Sequence, residues 1–215
     1  MPAALSLAFE LLATTLAPTT CAACDEPVSV LAAFCPRCAC TVQPSAAASA
    51  TEIAAFVYGG SVARAIVRLK YERRPDIARP LGDLLVRAAA SWRPLPSASV
   101  IVPVPLHPVR LAERGFNQAA LLAHRLARGL RIPHYAMALR RLRNTPRQTG
   151  LARDQRVSNM DGAFVARRSE RIVGKRVVLV DDVRTTGSTL EACARVLRQA
   201  GARDVRWAVV AQAEA

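Results

Sequence analysis

Residues 177 to 189 read Val-Val-Leu-Val-Asp-Asp-Val-Arg-Thr-Thr-Gly-Ser-Thr: four apolar residues, two acids, then a small, hydroxyl-rich turn. The apolar run is a buried-strand pattern, and Leu190, Cys193, Ala194 and Leu197 recur beyond it at helical spacing, so the turn joins a strand to a helix. The first amides of a helix have no partner within it, and Thr185, Thr186, Gly187, Ser188 and Thr189 set hydroxyls beside them, which makes a site for a phosphate. Asp181 and Asp182 precede the turn, and carboxylates accept hydrogen bonds from vicinal sugar hydroxyls. A phosphate cradle beside hydroxyl acceptors is the chemistry of a ribose phosphate. The acids have plainer uses too: they can hold Mg²⁺ alone or cap the following helix.

A second group of residues points to a metal. Cys21-Ala-Ala-Cys24 and Cys35-Pro-Arg-Cys38 are two short knuckles, and each aims two sulfurs at a common point, as a tetrahedral zinc site requires. A closed four-sulfur site has no open position for water or substrate, so its use is structural. Cys40 is a rival fourth ligand, and a pair of disulfides is the alternative to metal. Cys193 reads as a small buried apolar residue.

Charge narrows the partners. The chain of 215 residues has 30 Lys+Arg against 16 Asp+Glu, a net charge of +14, with 52% apolar residues. That apolar share excludes a disordered basic tail, and the length suits one ordinary core with a small appendage. Residues 1 to 45 carry one base, Arg37, and three acids, while the stretch from Arg110 to Arg156 carries eleven Arg and two acids, Glu113 and Asp154. Such a field attracts phosphates on a small molecule or on nucleic acid. A coding bias toward Arg explains part of it, since 28 of the 30 bases are Arg. No uncharged apolar run reaches the roughly 18 to 20 residues of a membrane span. Met1 to Thr20 holds no Lys or Arg, unlike the n-region of a secretory signal, and Leu5, Phe9, Leu12 and Leu16 form a helical stripe. The expected compartment is the cytoplasm.

The elements that must position these residues follow from periodicity and breakers. Gln43-Pro44-Ser45 marks the expected boundary between an N-terminal helix and knuckle, 1–45, and a larger domain, 46–215. Val62, Ala65, Ile66 and Leu69 predict one helix and Leu81, Leu84, Leu85 and Ala88 another, with Arg93-Pro94-Leu95-Pro96 as a stop. Val100 to Val104 predicts a strand, and Asn117 can cap a helix through Leu122, Leu126 and Leu130. Tyr135 to Leu142 is a weaker strand running into an Arg-rich loop; Phe164-Val165 and Trp207 to Val210 are further strands. Strands alternating with helices predict an α/β fold: an open, mostly parallel sheet with helices on both faces, beside the small zinc-binding knuckle. Trp92 and Trp207 read as packing residues, and His107 and His124 as solvated or structural.

The 177–189 stretch resembles the phosphoribosyl pyrophosphate signature of type I phosphoribosyltransferases, with Arg184 at a variable position. Val102-Pro103-Val104-Pro105, Arg114-Gly115-Phe116-Asn117-Gln118, Arg143-Asn144-Thr145-Pro146-Arg147-Gln148, Asn159 with Gly162-Ala163-Phe164, and Leu69-Lys70-Tyr71 narrow the resemblance to the ComF family. The resemblance implies that Thr185 to Thr189 hold a 5′-phosphate and that Asp181 and Asp182 hold the ribose 2′ and 3′ hydroxyls. It also implies that the segment from Pro105 to Phe116 faces pyrophosphate and its Mg²⁺, with Arg110 and Arg114 placed to help, because guanidinium forks match phosphate oxygens. Arg140 to Gln148 falls where the family fold has a mobile loop over the site. Lys70, one of two lysines, is a candidate phosphate contact, with a surface helix position as the alternative.

Two functions follow. One is an enzyme that binds phosphoribosyl pyrophosphate and transfers the ribosyl phosphate to an acceptor the sequence does not disclose. The other is a binding module for single-stranded DNA, an accessory of DNA uptake with competence proteins as partners, which the family resemblance makes reasonable. Stacking of single strands needs exposed aromatics along a basic groove, and here aromatics are 5% of the chain.

Overall fold

Val177, Val178, Leu179 and Val180 form the centre of strand β5 (Arg176–Arg184), which lies between β2 (Ser99–Pro103) and β6 (Asp204–Gln212). Strand β1 (Glu52–Val57) flanks β6, so the sheet runs β1-β6-β5-β2, with every neighbouring pair parallel. The computed structural model describes residues 19–46, 49, 51–92, 99–144, 162–167 and 169–213. The expected helix ahead of Thr19, the stop at 93–96, and the motif residues 145–148 and 159 lie outside them.

A strand paired on both sides has helices or other cover on both faces, which is why β5 is apolar without alternation. Val178 and Val180 point into one core, with Ile101, Ala208 and Val210 from neighbouring strands. Helices α2 (Gly60–Tyr71), α3 (Ala78–Ala88) and α5 (Gln118–Leu130) cover that face through Val62, Ile66, Leu69, Leu81, Leu85, Leu122 and Leu126. Val177 and Leu179 point into a second core with Val100, Val102 and Val209, covered by Leu190, Cys193, Ala194 and Leu197 of α6 (Ser188–Gln199). The architecture is therefore the expected mostly parallel α/β sheet with helices on both faces.

Four local features add to or refine the expected pattern. β1 was not anticipated: Ala54 and Ala55 interrupt the strand-favouring Ile53, Phe56 and Val57, and pairing with β6 from Glu52↔Trp207 to Val57↔Gln212 makes the segment a strand. The expected loop after β2 contains a short helix, α4 (Pro108–Arg114). Strand β3 (Leu139–Arg141) falls within the expected strand at Tyr135 to Leu142, shorter than expected and overlapping the start of the loop the resemblance implies, and it pairs antiparallel with β4 (Phe164–Ala166), the expected strand at Phe164-Val165, in an arm against the α6 face. Finally, β5 continues through Asp181 and Asp182, because Asp181 pairs with Val209 and Val183 with Ala211.

The cysteine knuckles, the second of which holds the turn of helix α1 (Pro36–Ala39), pack on α2. The Gln43-Pro44-Ser45 stretch is hydrogen-bonded to β1: Val57 N–H donates to Gln43 O at 2.9 Å and Ser45 N–H to Ala55 O at 3.1 Å.

Candidate functional site

Parallel strands gather ligand-binding loops at their carboxyl ends, and both acids emerge there. Val104, just past β2, donates its N–H to Val180 O at 2.9 Å, so the segment leading into α4 starts beside Asp181. Asn117 ties this corner down: its Nδ2 donates to Val104 O at 3.0 Å, and its Oδ1 accepts from Ala119 N–H at 3.0 Å, capping α5. The expected cap is present and does a second task. His107 caps α4 in the same way, accepting from Val109 N–H at 3.3 Å.

The two acids differ in setting. Asp182 is 2% exposed, and its Oδ2 lies 2.6 Å from the Lys70 Nζ at the end of α2. Burial works against a charge on Asp182, but the Lys70 ammonium outweighs it, aided by hydrogen bonds from Asp181 and Gln118, and holds the carboxyl below its usual range. Asp181 is partly exposed, and its Oδ1 accepts the Asp182 N–H at 2.9 Å. Burial first, and the neighbouring Asp182 charge second, push the Asp181 carboxyl well above the carboxylate range. The pair thus stores one firmly ionised acid and one poised to hold a proton, as two crowded carboxyls must.

After the acids the chain turns through Thr185 and Thr186 to Gly187, whose φ of +79° suits a residue without a side chain, and enters α6 at Ser188. The residue at its N-cap, Gly187, has no side chain with which to cap it. Thr186 Oγ1 lies 3.2 Å from Ser188 Oγ, and Asp181, Thr185, Gly187, Ser188, Thr189 and Leu190 line a shallow cavity. Arg184 also lines it, with its Nε 3.5 Å from where a Cβ on Gly187 would stand, while its Nη1 donates to Glu52 Oε2 at 2.7 Å, where Trp207 Nε1 also donates at 3.1 Å. A long side chain at the variable position is accommodated in this way.

Of the arginines expected near pyrophosphate, Arg110 pairs with Glu113 Oε2 at 3.1 Å on α4. Arg114 hydrogen-bonds Gln118 Oε1 and places its guanidinium 5.5 Å from the centre of the Tyr71 ring. Gln118 and Tyr71 stood in the quoted motifs without a role, yet they link Arg114 to the acid pair and to α2. Arg141 was also missed: its guanidinium feels Asp181 and Arg110, burial lowers its pKa, and it stacks 5.5 Å over Phe164. Its place in a strand was expected, but the neighbours that give it a role, Asp181 and Phe164, come from other elements.

At the cysteine centre, the sulfurs of Cys21, Cys24, Cys35 and Cys38 all lie within 4.8 Å of one another. The Sγ atoms of Cys24 and Cys35 are 3.7 Å apart, close to the ~3.8 Å edge of a tetrahedron built on a ~2.3 Å zinc–sulfur bond. The four thiols fit a metal. Cys40 stands apart, exposed, with its Sγ on Pro36 O at 3.2 Å. The Glu26 backbone amide lowers the Cys24 thiol to about 7. Cys193 is fully buried in the α6 core, which pushes its thiol well up.

Residues 116–215 match the phosphoribosyl transferase domain family. Competence protein F of Haemophilus influenzae is 39% identical over 145 residues, covering 66% of this chain and 63% of that protein. The DNA utilization protein YhgH of Escherichia coli is 36% identical over 152 residues, 69% of this chain and 66% of that protein. Competence protein ComFC of Bacillus subtilis is 37% identical over 102 residues, 47% and 39% of the two chains. The chain therefore spans less than two thirds of the length of these relatives. Among solved structures, the glutamine phosphoribosylpyrophosphate amidotransferase of B. subtilis matches 66% of this chain and 30% of its own, at 24% identity and a TM-score of 0.43. Relatives named for competence and DNA utilization, and a domain match that opens at Phe116 and runs through the acid pair and its turn, place this chain in the ComF family, with a type I phosphoribosyltransferase-like domain.

Proposed function

We propose that the chain binds phosphoribosyl pyrophosphate with Mg²⁺ and transfers its ribosyl 5-phosphate to a nucleophilic acceptor. The observation that carries this reading is one buried, Lys-paired acid and one raised acid at the end of β5, directly before the turn that opens α6. In this reading Asp181, which lines the cavity, accepts one ribose hydroxyl, and Asp182, held ionised by Lys70, accepts the other, for which its buried carboxylate must become accessible on binding. The turn from Thr185 to Thr189 receives the 5′-phosphate on the helix N-terminus. Arg110 and Arg114 neutralise the leaving pyrophosphate, and Lys70 has further ammonium protons to offer a phosphate oxygen. Mg²⁺, bound with the substrate, would share that neutralisation. The reaction is displacement at the anomeric carbon: the C–O bond to pyrophosphate breaks, the bond to the acceptor forms, and the pyrophosphate leaves with the bonding electron pair. Fixed charges do most of the work, because no covalent enzyme intermediate is needed. The cysteine centre holds structural Zn²⁺, residues 46–215 form the phosphoribosyltransferase-like domain and 1–45 its knuckle, and the protein works in the cytoplasm.

Calorimetric titration of phosphoribosyl pyrophosphate with Mg²⁺ tests the reading: the wild type binds, and the Asp181→Asn/Asp182→Asn double variant loses at least ~10-fold in affinity. A wild type that does not bind removes it. The names of the relatives favour a second reading, single-stranded DNA binding through the Arg-rich face, in which competence proteins are partners. Its signature is affinity that falls steeply between two salt concentrations. Guanidinium groups already stack on Tyr71, Phe164 and Tyr135, which leaves fewer aromatic faces for bases.

A further inference from the structure

Helix α2 touches the cysteine centre at both of its ends and the acid pair at one. At its start, Thr41, three residues beyond Cys38, has its hydroxyl 2.9 Å from Cys38 O and 2.8 Å from the Ser61 hydroxyl, and it accepts the Ser61 N–H at 3.0 Å. The approach is so close that a Cβ on Gly60 would stand 2.5 Å from Thr41 O. At its end, Arg68, 7% exposed, donates to Ala22 O at 3.2 Å, inside the first knuckle, and pairs with the Asp25 carboxylate beside Cys24. Each knuckle therefore grips one end of the same helix.

Two residues beyond Arg68, and so on nearly the opposite side of the helix, Lys70 meets Asp182. Tyr71 follows and carries Arg114 on its ring. Lys70 and Tyr71 thus owe their places to a helix seated on the sheet through Val62, Ala65, Ile66 and Leu69 and gripped at each end by the peptide segments around the four cysteines.

We infer that α2 is a strut through which an occupied cysteine centre fixes Lys70 on Asp182, so that Lys70 is a positioning residue of the phosphoribosyl site and metal binding is a condition of that site's geometry. The inference deepens the function proposed above and rests on its reading of both centres. Knuckles without metal lose the common point that fixes their mutual orientation, and Thr41, Ala22 and Asp25 move with them.

Hydrogen–deuterium exchange on the full, metal-loaded chain tests it without relying on activity. Arg68→Met keeps an apolar stem and leaves Asp25 to Arg74, which it already meets at 2.7 Å; Cys24→Ser removes a metal ligand. In both variants exchange across α2 and across residues 181–184 should rise ~10-fold, while the β3–β4 arm on the other face keeps its wild-type rate. Arg68→Met should retain its metal, and Lys70→Arg should preserve most of the protection at 181–184 that Lys70→Met loses. The strut is refuted if 181–184 stays at the wild-type rate while α2 accelerates, or if the arm accelerates equally, which would mean general loosening. A parallel calorimetric titration separates the two ideas. If the variants show this exchange pattern while the wild type ignores phosphoribosyl pyrophosphate, the coupling stands and the ligand is lost.

Discussion

Asp181 and Asp182 are adjacent and chemically identical, yet their surroundings give them opposite protonation tendencies. Asp181, raised by burial and by its neighbour, favours folding below the ordinary carboxylate range and loses that contribution as pH rises through its elevated pKa. Asp182, lowered by Lys70, behaves the other way: its contribution is present above the ordinary range and is lost as pH falls through its depressed pKa. Asp181→Asn should therefore stabilise the protein at neutral pH, raising Tm by about 2–4 °C per kcal/mol of relieved repulsion. The gain should vanish as the pH is lowered below the ordinary carboxylate range, which thermal melts across pH would show. Lys70→Met should have the opposite sign, costing about 3–5 kcal/mol in denaturant unfolding at neutral pH, because it leaves Asp182 buried without its cation. The sequence shows the two acids and, by resemblance, their use. It does not show which one carries the proton, since that is set by a lysine brought from another element.

At the scale of elements, the strand-turn-helix of 177–197 is legible because three local rules agree: an apolar run, a glycine that suits a left-handed turn, and a helical stripe. The helix from Gln118 to Leu130 is equally legible, since Asn117 announces its start. Asn117→Ala should cost about 1–2 kcal/mol, more than a cap alone, because the Val104 carbonyl loses its donor too. Chemical denaturation measures it, and a cost of a few tenths of a kcal/mol would mean that the corner closes without Asn117. Strand β1 was illegible for the opposite reason: Ala54 and Ala55 break the run of strand-favouring Ile53, Phe56 and Val57, and pairing with the edge of β6 completes it. Both strands of the β3–β4 arm were legible, but their antiparallel pairing with each other, outside the main sheet, was not, because partner choice is not written in either strand.

For the molecule as a whole, the knuckle and the sheet form one continuous packing, since Ala22 belongs to the same core as Ile66 and Leu69. Metal analysis should find about one zinc per chain, and a chelator should lower Tm by several degrees, because a structural zinc site contributes directly to folding. Metal-free protein with an unchanged melt would refute the assignment of Cys21, Cys24, Cys35 and Cys38. No helix among the described residues is long and apolar enough to cross a membrane. What is local or periodic is legible in the order of residues: the cysteine spacing, the alternation of strand and helix, and the turn after the twin acids, because each is written in short stretches of chain. Tertiary structure alone decided which residues from distant segments meet: Lys70 with Asp182, Arg68 with the first knuckle, and Arg114 with Tyr71. Such meetings depend on how helices lie across a sheet, and that follows from packing the apolar faces together rather than from any short stretch of chain.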